Sequence, residues 1–422
     1  MLWKNSVHWD ICDDLMMIRR VTLLGHKDHG KSTLIGNLAI ITGSVTEARI
    51  KDAKKTSEKL GLQFEPGFIL DSFYEEREGG LTIDTTRAQI KYKESAFEFI
   101  DVPGHEELTK NMISGASYAD VALLMVSTKK GEGIKPQTKR HIFIAKMLGI
   151  NKLVVAVNKM DLAEYKQEVF ESIKKDMTEY LSRIGINIEN VAFVPISAYT
   201  GEGLIKNTNN MKWYKGKSLI ELLEKMSEKD TSNRKELAVL LQGTIGEDKK
   251  IVVGKIVSGT LISGQEIKLL PGKQDFIVKD IIVRGTSKEN AVYGENTAIV
   301  LDKEPTTEIR GSVLVDKNNK KKAVREITAL LFSLKKISGH VSILINGSKT
   351  DCMNIEMIKT LDIVSGTESK TGEIKPLGAA EVRIKLNKEI FVEDFEKVPE
   401  LGRFLIYDGG AFAGIGIISG KK

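Results

Sequence analysis

Gly25-His26-Lys27-Asp28-His29-Gly30-Lys31-Ser32-Thr33 stands between an apolar run, Arg20-Val21-Thr22-Leu23-Leu24, and a helix-forming run, Thr33-Leu34-Ile35-Gly36-Asn37-Leu38-Ala39. Glycine, four residues, then Gly-Lys-Ser is the Walker A pattern of a phosphate-binding loop, here set where a strand turns into a helix. Gly25 and Gly30 let the chain fold its N–H groups inward around phosphate oxygens, and the helix N-terminus adds positive potential. Lys31 has the reach to meet β- and γ-phosphates, and the Ser32 hydroxyl is placed to ligate magnesium. Lys27, Asp28, His29 and Thr33 complete the candidate phosphate loop.

Three further segments follow in the order that a guanine-nucleotide site needs. Phe97-Glu98-Phe99-Ile100 reads as a short strand that delivers Asp101-Val102-Pro103-Gly104-His105 to its carboxyl end. Asp101 would hold the magnesium shell through water, and the Gly104 amide would bond the γ-phosphate. Leu153-Val154-Val155-Ala156-Val157 is wholly apolar, as in the middle of a parallel sheet, and runs into Asn158-Lys159-Met160-Asp161. A carboxylate at Asp161 can accept hydrogen bonds from guanine N1–H and the exocyclic amine, a pair that adenine lacks. The wrong base leaves buried polar groups unpaired, at about 1–3 kcal/mol each. Phe193-Val194-Pro195-Ile196 then leads to Ser197-Ala198, whose backbone N–H is expected on the guanine carbonyl. Each motif alone is common. Four in this order, each at the end of a strand, point to a GTP-binding, GTP-hydrolysing switch with GTP or GDP as ligand and Mg2+ as cofactor.

The first motif, with His26 and His29 around Asp28, resembles the translation-factor GTPases, above all elongation factor 1-alpha and elongation factor Tu. The resemblance continues through Glu75 to Asp84, Asp101 to Gly115, Gln137 to His141, Asn158 to Leu162 and Trp213 to Lys217. It implies that Thr82 is the switch threonine that closes on magnesium and the γ-phosphate, that His105 orients the attacking water, and that Asp28 sits beside the β–γ bridge. Catalysis would rest on Lys31, Thr82 and His105, and the metal on Ser32, Thr82 and Asp101. Phosphoryl transfer to water asks mainly for positioning and charge neutralisation, which suits these residue types. Gly79 departs from the pattern, since the family usually has Arg or Gln there. Two consecutive glycines raise the entropy cost of ordering a loop, so a looser switch is expected.

The chain has 422 residues, net charge +6, 28% charged residues and two cysteines, Cys12 and Cys352. That length allows two to four domains with cores of their own. Two distant cysteines without ligand spacing argue against disulfides and zinc and for a cytoplasmic setting. No apolar run approaches a membrane span. The modest basic excess is compatible with RNA without requiring it. Residues 1–17 read as an N-terminal arm, for which Met16 or Met17 is an alternative start. A GTP-binding domain of the α/β class, a mostly parallel sheet with helices on both faces, is expected over 18–226.

A polar stretch over 227–236 reads as a linker. Short apolar strands broken by glycines follow, the texture of β-barrels, one over 237–320 and a second over 321–422. Gly254 to Gly264 resembles the second domain of translation factors. Leu401-Gly402-Arg403-Phe404 and Gly414-Ile415-Gly416-Ile417 resemble the third domain of elongation factor 1-alpha and its release-factor relatives. The resemblance implies the ribosome and an aminoacyl-tRNA or tRNA-mimicking protein as partners, with a nucleotide-exchange factor besides. Two departures favour an alternative. The segment Ala298 to Gly311 is compact, like that of the GTPase subunit of ATP sulfurylase, and His340 is the only histidine after His141. In that reading the partner is a sulfurylase catalytic subunit. A diverged regulatory GTPase without RNA is the third.

Overall fold

A computed structural model describes residues 17–59, 61, 64–69, 86–101, 119–206, 209–227, 236–246, 249–370 and 373–421. They fall into two compact units that meet in sequence at Glu228 and Lys229.

In the first unit the described strands are β1 (Met17–Leu24), β2 (Thr86–Tyr92), β3 (Ser95–Asp101), β4 (Val121–Ser127), β5 (Leu153–Asn158) and β6 (Val191–Pro195). They form one sheet in the order β2-β3-β1-β4-β5-β6. Only β2 runs antiparallel, paired to β3 along its length. The α-helices among the described residues are α1 (Lys31–Ile41), α2 (Glu47–Lys59), α3 (Pro136–Met147), α4 (Gln167–Arg183) and α5 (Leu219–Met226). Every residue of β4 and β5 is buried, which is why these strands are apolar rather than alternating up to their last residues, Ser127 and Asn158. Leu34, Ile35 and Leu38 of α1 pack with Val21, Leu23, Phe97, Phe99 and Val154 in a single core. α4 needs only one apolar stripe, and Phe170, Met177, Tyr180 and Leu181 supply it at helical spacing.

This topology sets the site. The parallel strands all point one way, so the residues that follow β1, β4, β5 and β6 emerge on one edge of the sheet, the edge at which β3 also ends. In open α/β sheets that carboxyl edge is where ligands bind. Leu23 stands opposite both Asp101 and Leu123, so the first loop and the end of β3 leave the sheet at one level.

The second unit holds two closed barrels. The first uses β7 (Ala238–Ile245), β8 (Ile251–Ser258), β9 (Thr260–Ile262), β10 (Glu266–Leu270), β11 (Gln274–Val283), β12 (Thr286–Lys288), β13 (Asn290–Val292), β14 (Asn296–Leu301) and β15 (Val313–Asp316). Its order β10-β15-β7-β8-β14-β11 closes through β10 and β11, with β12 appended to β11 and β9 paired separately to β13. The other barrel uses β16 (Val324–Ser333), β17 (Val341–Ile345), β18 (Ser348–Leu361), β19 (Glu368–Ser369), β20 (Gly378–Ile390), β21 (Arg403–Asp408) and β22 (Ala411–Lys421). It closes between β17 and β18. Closure removes free sheet edges, and alternate residues fill the interior.

Each barrel has its own core, one around Val239, Ile267 and Ile299 and one around Ala329, Ile343 and Ile384. A further cluster joins Ala238, Val257, Leu270, Val313 and Val315 to Phe391, Val398 and Leu401. Lys321 ties the same seam, 2.5 Å from Glu236 and 2.8 Å from Glu393.

Candidate nucleotide-binding site

The loop from Gly25 to Gly30 is held by its own geometry. Gly25 has φ +131°, and a Cβ there would stand 2.6 Å from the Met125 carbonyl oxygen. Gly30 has φ +86°, and a Cβ would meet the Asn158 amide nitrogen at 2.6 Å. Both positions therefore demand glycine, by backbone conformation and by the closeness of β4 and of Asn158. Between them Lys27–His29 make one 3-10 turn, and α1 begins at Lys31 with Leu34 N–H bonded to Gly30 O. The N–H groups of the first helical turn have no acceptor within the helix and are available to an anion.

The Lys31 ammonium curls back to donate to Gly25 O at 3.2 Å and His26 O at 3.1 Å. Lys27, Asp28 and Ser32 are exposed at the mouth of the loop. Asp28 lies 3.4 Å from His26 Nδ1. The Ser32 hydroxyl, at the start of α1, has no hydrogen-bond partner among the described residues.

Two loop residues have their side chains engaged within the protein. The ring of His29 turns into the protein, fully buried, with Nδ1 2.8 Å from Met125 O. A carbonyl needs a donor, so Nδ1 carries the proton and the equally buried Nε2 has no partner. Burial lowers the His29 pKa, which keeps the ring neutral beside Lys31. It pins the loop to β4 rather than facing a phosphate. Thr33 donates its hydroxyl to Glu65 at 2.8 Å.

Asn158 joins three segments. Its amide nitrogen donates to His29 O at 2.8 Å, and its oxygen accepts from Ala198 N–H at 2.8 Å. The Asp161 carboxylate accepts from Ser197 Oγ at 2.6 Å, which ties the two motifs together. The Ser197 and Ala198 N–H groups, expected on the guanine carbonyl, are both engaged inside the protein, on Glu202 O and on Asn158. Asn37 of α1 adds a brace, donating to Ala198 O at 2.7 Å and Tyr199 O at 3.0 Å. Lys159 adopts φ +65° and reaches Glu132 Oε2 at 2.7 Å.

The structure thus brings the phosphate loop, Asn158, Lys159, Asp161, Ser197 and Ala198 together on one edge of the sheet. Asp101 ends β3 at the level of Leu23. Thr82, Gly104, His105 and Gly79 lie outside the described residues, as does the arm over residues 1–16.

Residues 16–232 match the sequence family described as elongation factor Tu GTP binding domain, and residues 336–419 match the elongation factor 1-alpha C-terminal domain-like family. The chain belongs to the elongation factor 1-alpha/Tu family of translation GTPases. It is 35% identical to elongation factor 1-alpha of Saccharolobus solfataricus over 95% of this chain and 96% of that one. Identity is 34% with the elongation factor 1-alpha of Metallosphaera sedula, over 95% and 96% of the two chains. It is also 34% with that of Methanospirillum hungatei, over 92% and 94%. Among solved structures, Sup35 complexed with GMPPNP is 23% identical, with a TM-score of 0.43, covering 98% of this chain and 96% of that one. None of these relatives lends weight to the sulfurylase alternative.

As a translation GTPase the protein hydrolyses GTP, and three residues outside the candidate site set take part in building the site. Asn37 braces the segment that follows β6, Glu132 binds Lys159, and His141 of α3 is buried close enough to feel Lys31. Burial, then Lys31, His26 and Arg140, press the His141 pKa down to about 4. His141 ends the Gln137 to His141 segment of the resemblance, and Asn37 left a faint signal as a polar residue in a largely apolar helix. Glu132 left none. Among the described residues no helix is long and apolar enough to cross a membrane.

Proposed function

We propose that this protein is a GTP-controlled carrier that brings an aminoacyl-tRNA, or a protein shaped like one, to the ribosome. The single observation that supports this reading is the extent of the likeness. Relatives named elongation factor 1-alpha match over 95% of the chain, through both barrels and not only through the nucleotide-binding unit.

In this reading the cytoplasmic carrier is organised as a nucleotide-binding domain over 18–226, a linker over 227–236 and barrel domains over 237–320 and 321–422. The N–H groups of the first turn of α1 and the Lys31 ammonium hold the phosphates. Asp161 reads the guanine edge, with Ser197 keeping its carboxylate in place, while Asn158 and Lys159 frame the base. Ser32, Asp101 and Thr82 would hold Mg2+, which neutralises charge on the β- and γ-phosphate oxygens. His105 orients the attacking water. Thr82 and Gly104 close on the γ-phosphate in the GTP form and let go after hydrolysis, an order–disorder transition that would control cargo. An exchange factor would then restore the GTP form.

The test is protection of an aminoacyl-tRNA ester from spontaneous hydrolysis, compared between the GTP-analogue and GDP forms. Protection in the GTP-analogue form alone is expected. Equal decay in both forms would refute carriage of aminoacyl-tRNA while leaving the GTPase assignment intact.

A further inference from the structure

We propose that Glu132 is a positioning residue for guanine-nucleotide binding: its carboxylate fixes the Lys159 ammonium beside the base pocket and so slows nucleotide release. Glu132 lies in the loop between β4 and α3, outside every motif that identifies the site. Its Oε2 is 2.7 Å from Lys159 Nζ and accepts from Ser127 Oγ at 2.6 Å. Its Oε1 is 3.3 Å from Lys129 Nζ. Ser127 is fully buried at the end of β4 and takes a hydrogen bond from Lys129 N–H, so it is itself held in place. The carboxylate is therefore anchored from its own side of the pair, and the lysine is the partner being placed.

The main chain of Lys159 is held from the same loop. Thr128 Oγ1 donates to Lys159 O at 2.6 Å, and Thr128 N–H donates to Asn158 O at 3.0 Å. A lysine side chain has a long flexible stem and a compact charge, so without a partner it samples many rotamers. Here both its ends are fixed, and the charged pair is only 17% and 23% exposed, which limits screening by salt. Burial disfavours the Glu132 charge, but hydrogen bonds from Lys159, Ser127 and Lys129 outweigh it and hold the pKa at about 2. The carboxylate is thus charged at any pH where the protein works.

The inference rests on the placement of Lys159 in the base pocket, and a double-mutant cycle separates the two. Release of fluorescent GDP from the full-length protein would be measured for the unaltered chain, Glu132→Gln, Lys159→Ala and the double variant. Glu132→Gln is expected to release GDP about tenfold faster, an effect of the size typical for coupled neighbours. In the Lys159→Ala background the same change should do nothing further, and Glu132→Asp should recover part of the loss. Equal acceleration in both backgrounds would mean that Glu132 merely staples its loop, and would overturn the proposal. So would GDP release from Glu132→Gln at the unaltered rate. Normal release from Lys159→Ala would overturn the placement of Lys159 and this proposal together. Should Glu132→Gln fail to fold, Ser127→Ala removes one anchor of the carboxylate and carries the same cycle with the same outcomes.

Discussion

At the scale of single residues, the site depends on side chains that are themselves held. In the proposed function Asp161 reads the guanine edge, and Ser197 holds one oxygen of its carboxylate at 2.6 Å. Asp161→Asn should shift preference from guanosine to xanthosine nucleotides, since an amide offers a donor where guanine also donates and xanthine accepts. Competition of GTP and XTP for the purified variant checks this, and an unchanged preference for GTP would refute the role given to Asp161. That the motifs would gather on one edge of the sheet was legible, because phosphate and guanine each demand a particular chemistry at a particular spacing after a strand. Which way each side chain turns was not. His29 sits between Asp28 and Gly30 in the phosphate-loop motif, yet its ring points into the sheet, a choice made by Met125 on a strand that begins near residue 121. No local pattern contains that information.

At the scale of elements, strands announced themselves through apolar runs and the barrels through their glycines, but the purpose of each glycine emerges only in three dimensions. Gly416 on β22 faces Phe404 on β21, and a Cβ there would approach the buried ring to 2.1 Å. The sequence Gly414-Ile415-Gly416-Ile417 therefore signals close packing within one barrel wall rather than a turn. Gly416→Ala should overpack that wall and lower stability by about 1–3 kcal/mol. Urea denaturation of the full-length protein measures this, and a variant as stable as the unaltered chain would show that the Phe404 ring has room to move. The compact Ala298 to Gly311 segment misled in the opposite direction. Its length suggested another branch of the superfamily, whereas the chain-long similarity is to elongation factors.

At the scale of the molecule, two units with separate cores carry separate vulnerabilities. Acid should strike the nucleotide-binding unit first. His141 has a folded pKa of about 4 against an ordinary 6.5, so between those values the unfolded chain binds the proton that the folded one refuses. Stability then rises with pH across that window and falls as pH drops from about 6.5 toward 4, by up to about 3 kcal/mol at the lower end. His29, also lowered by burial, acts in the same direction. Melting temperatures across this range should flatten in a His141→Gln variant, and an unaltered slope would assign the acid sensitivity elsewhere. The Asn158 clasp has a consequence at this scale too. One side-chain amide touches the phosphate loop through His29 and the base loop through Ala198. In the proposed site, grip on the two ends of the nucleotide would therefore be a single mechanical variable, and whatever tilts that amide would loosen base and phosphates together.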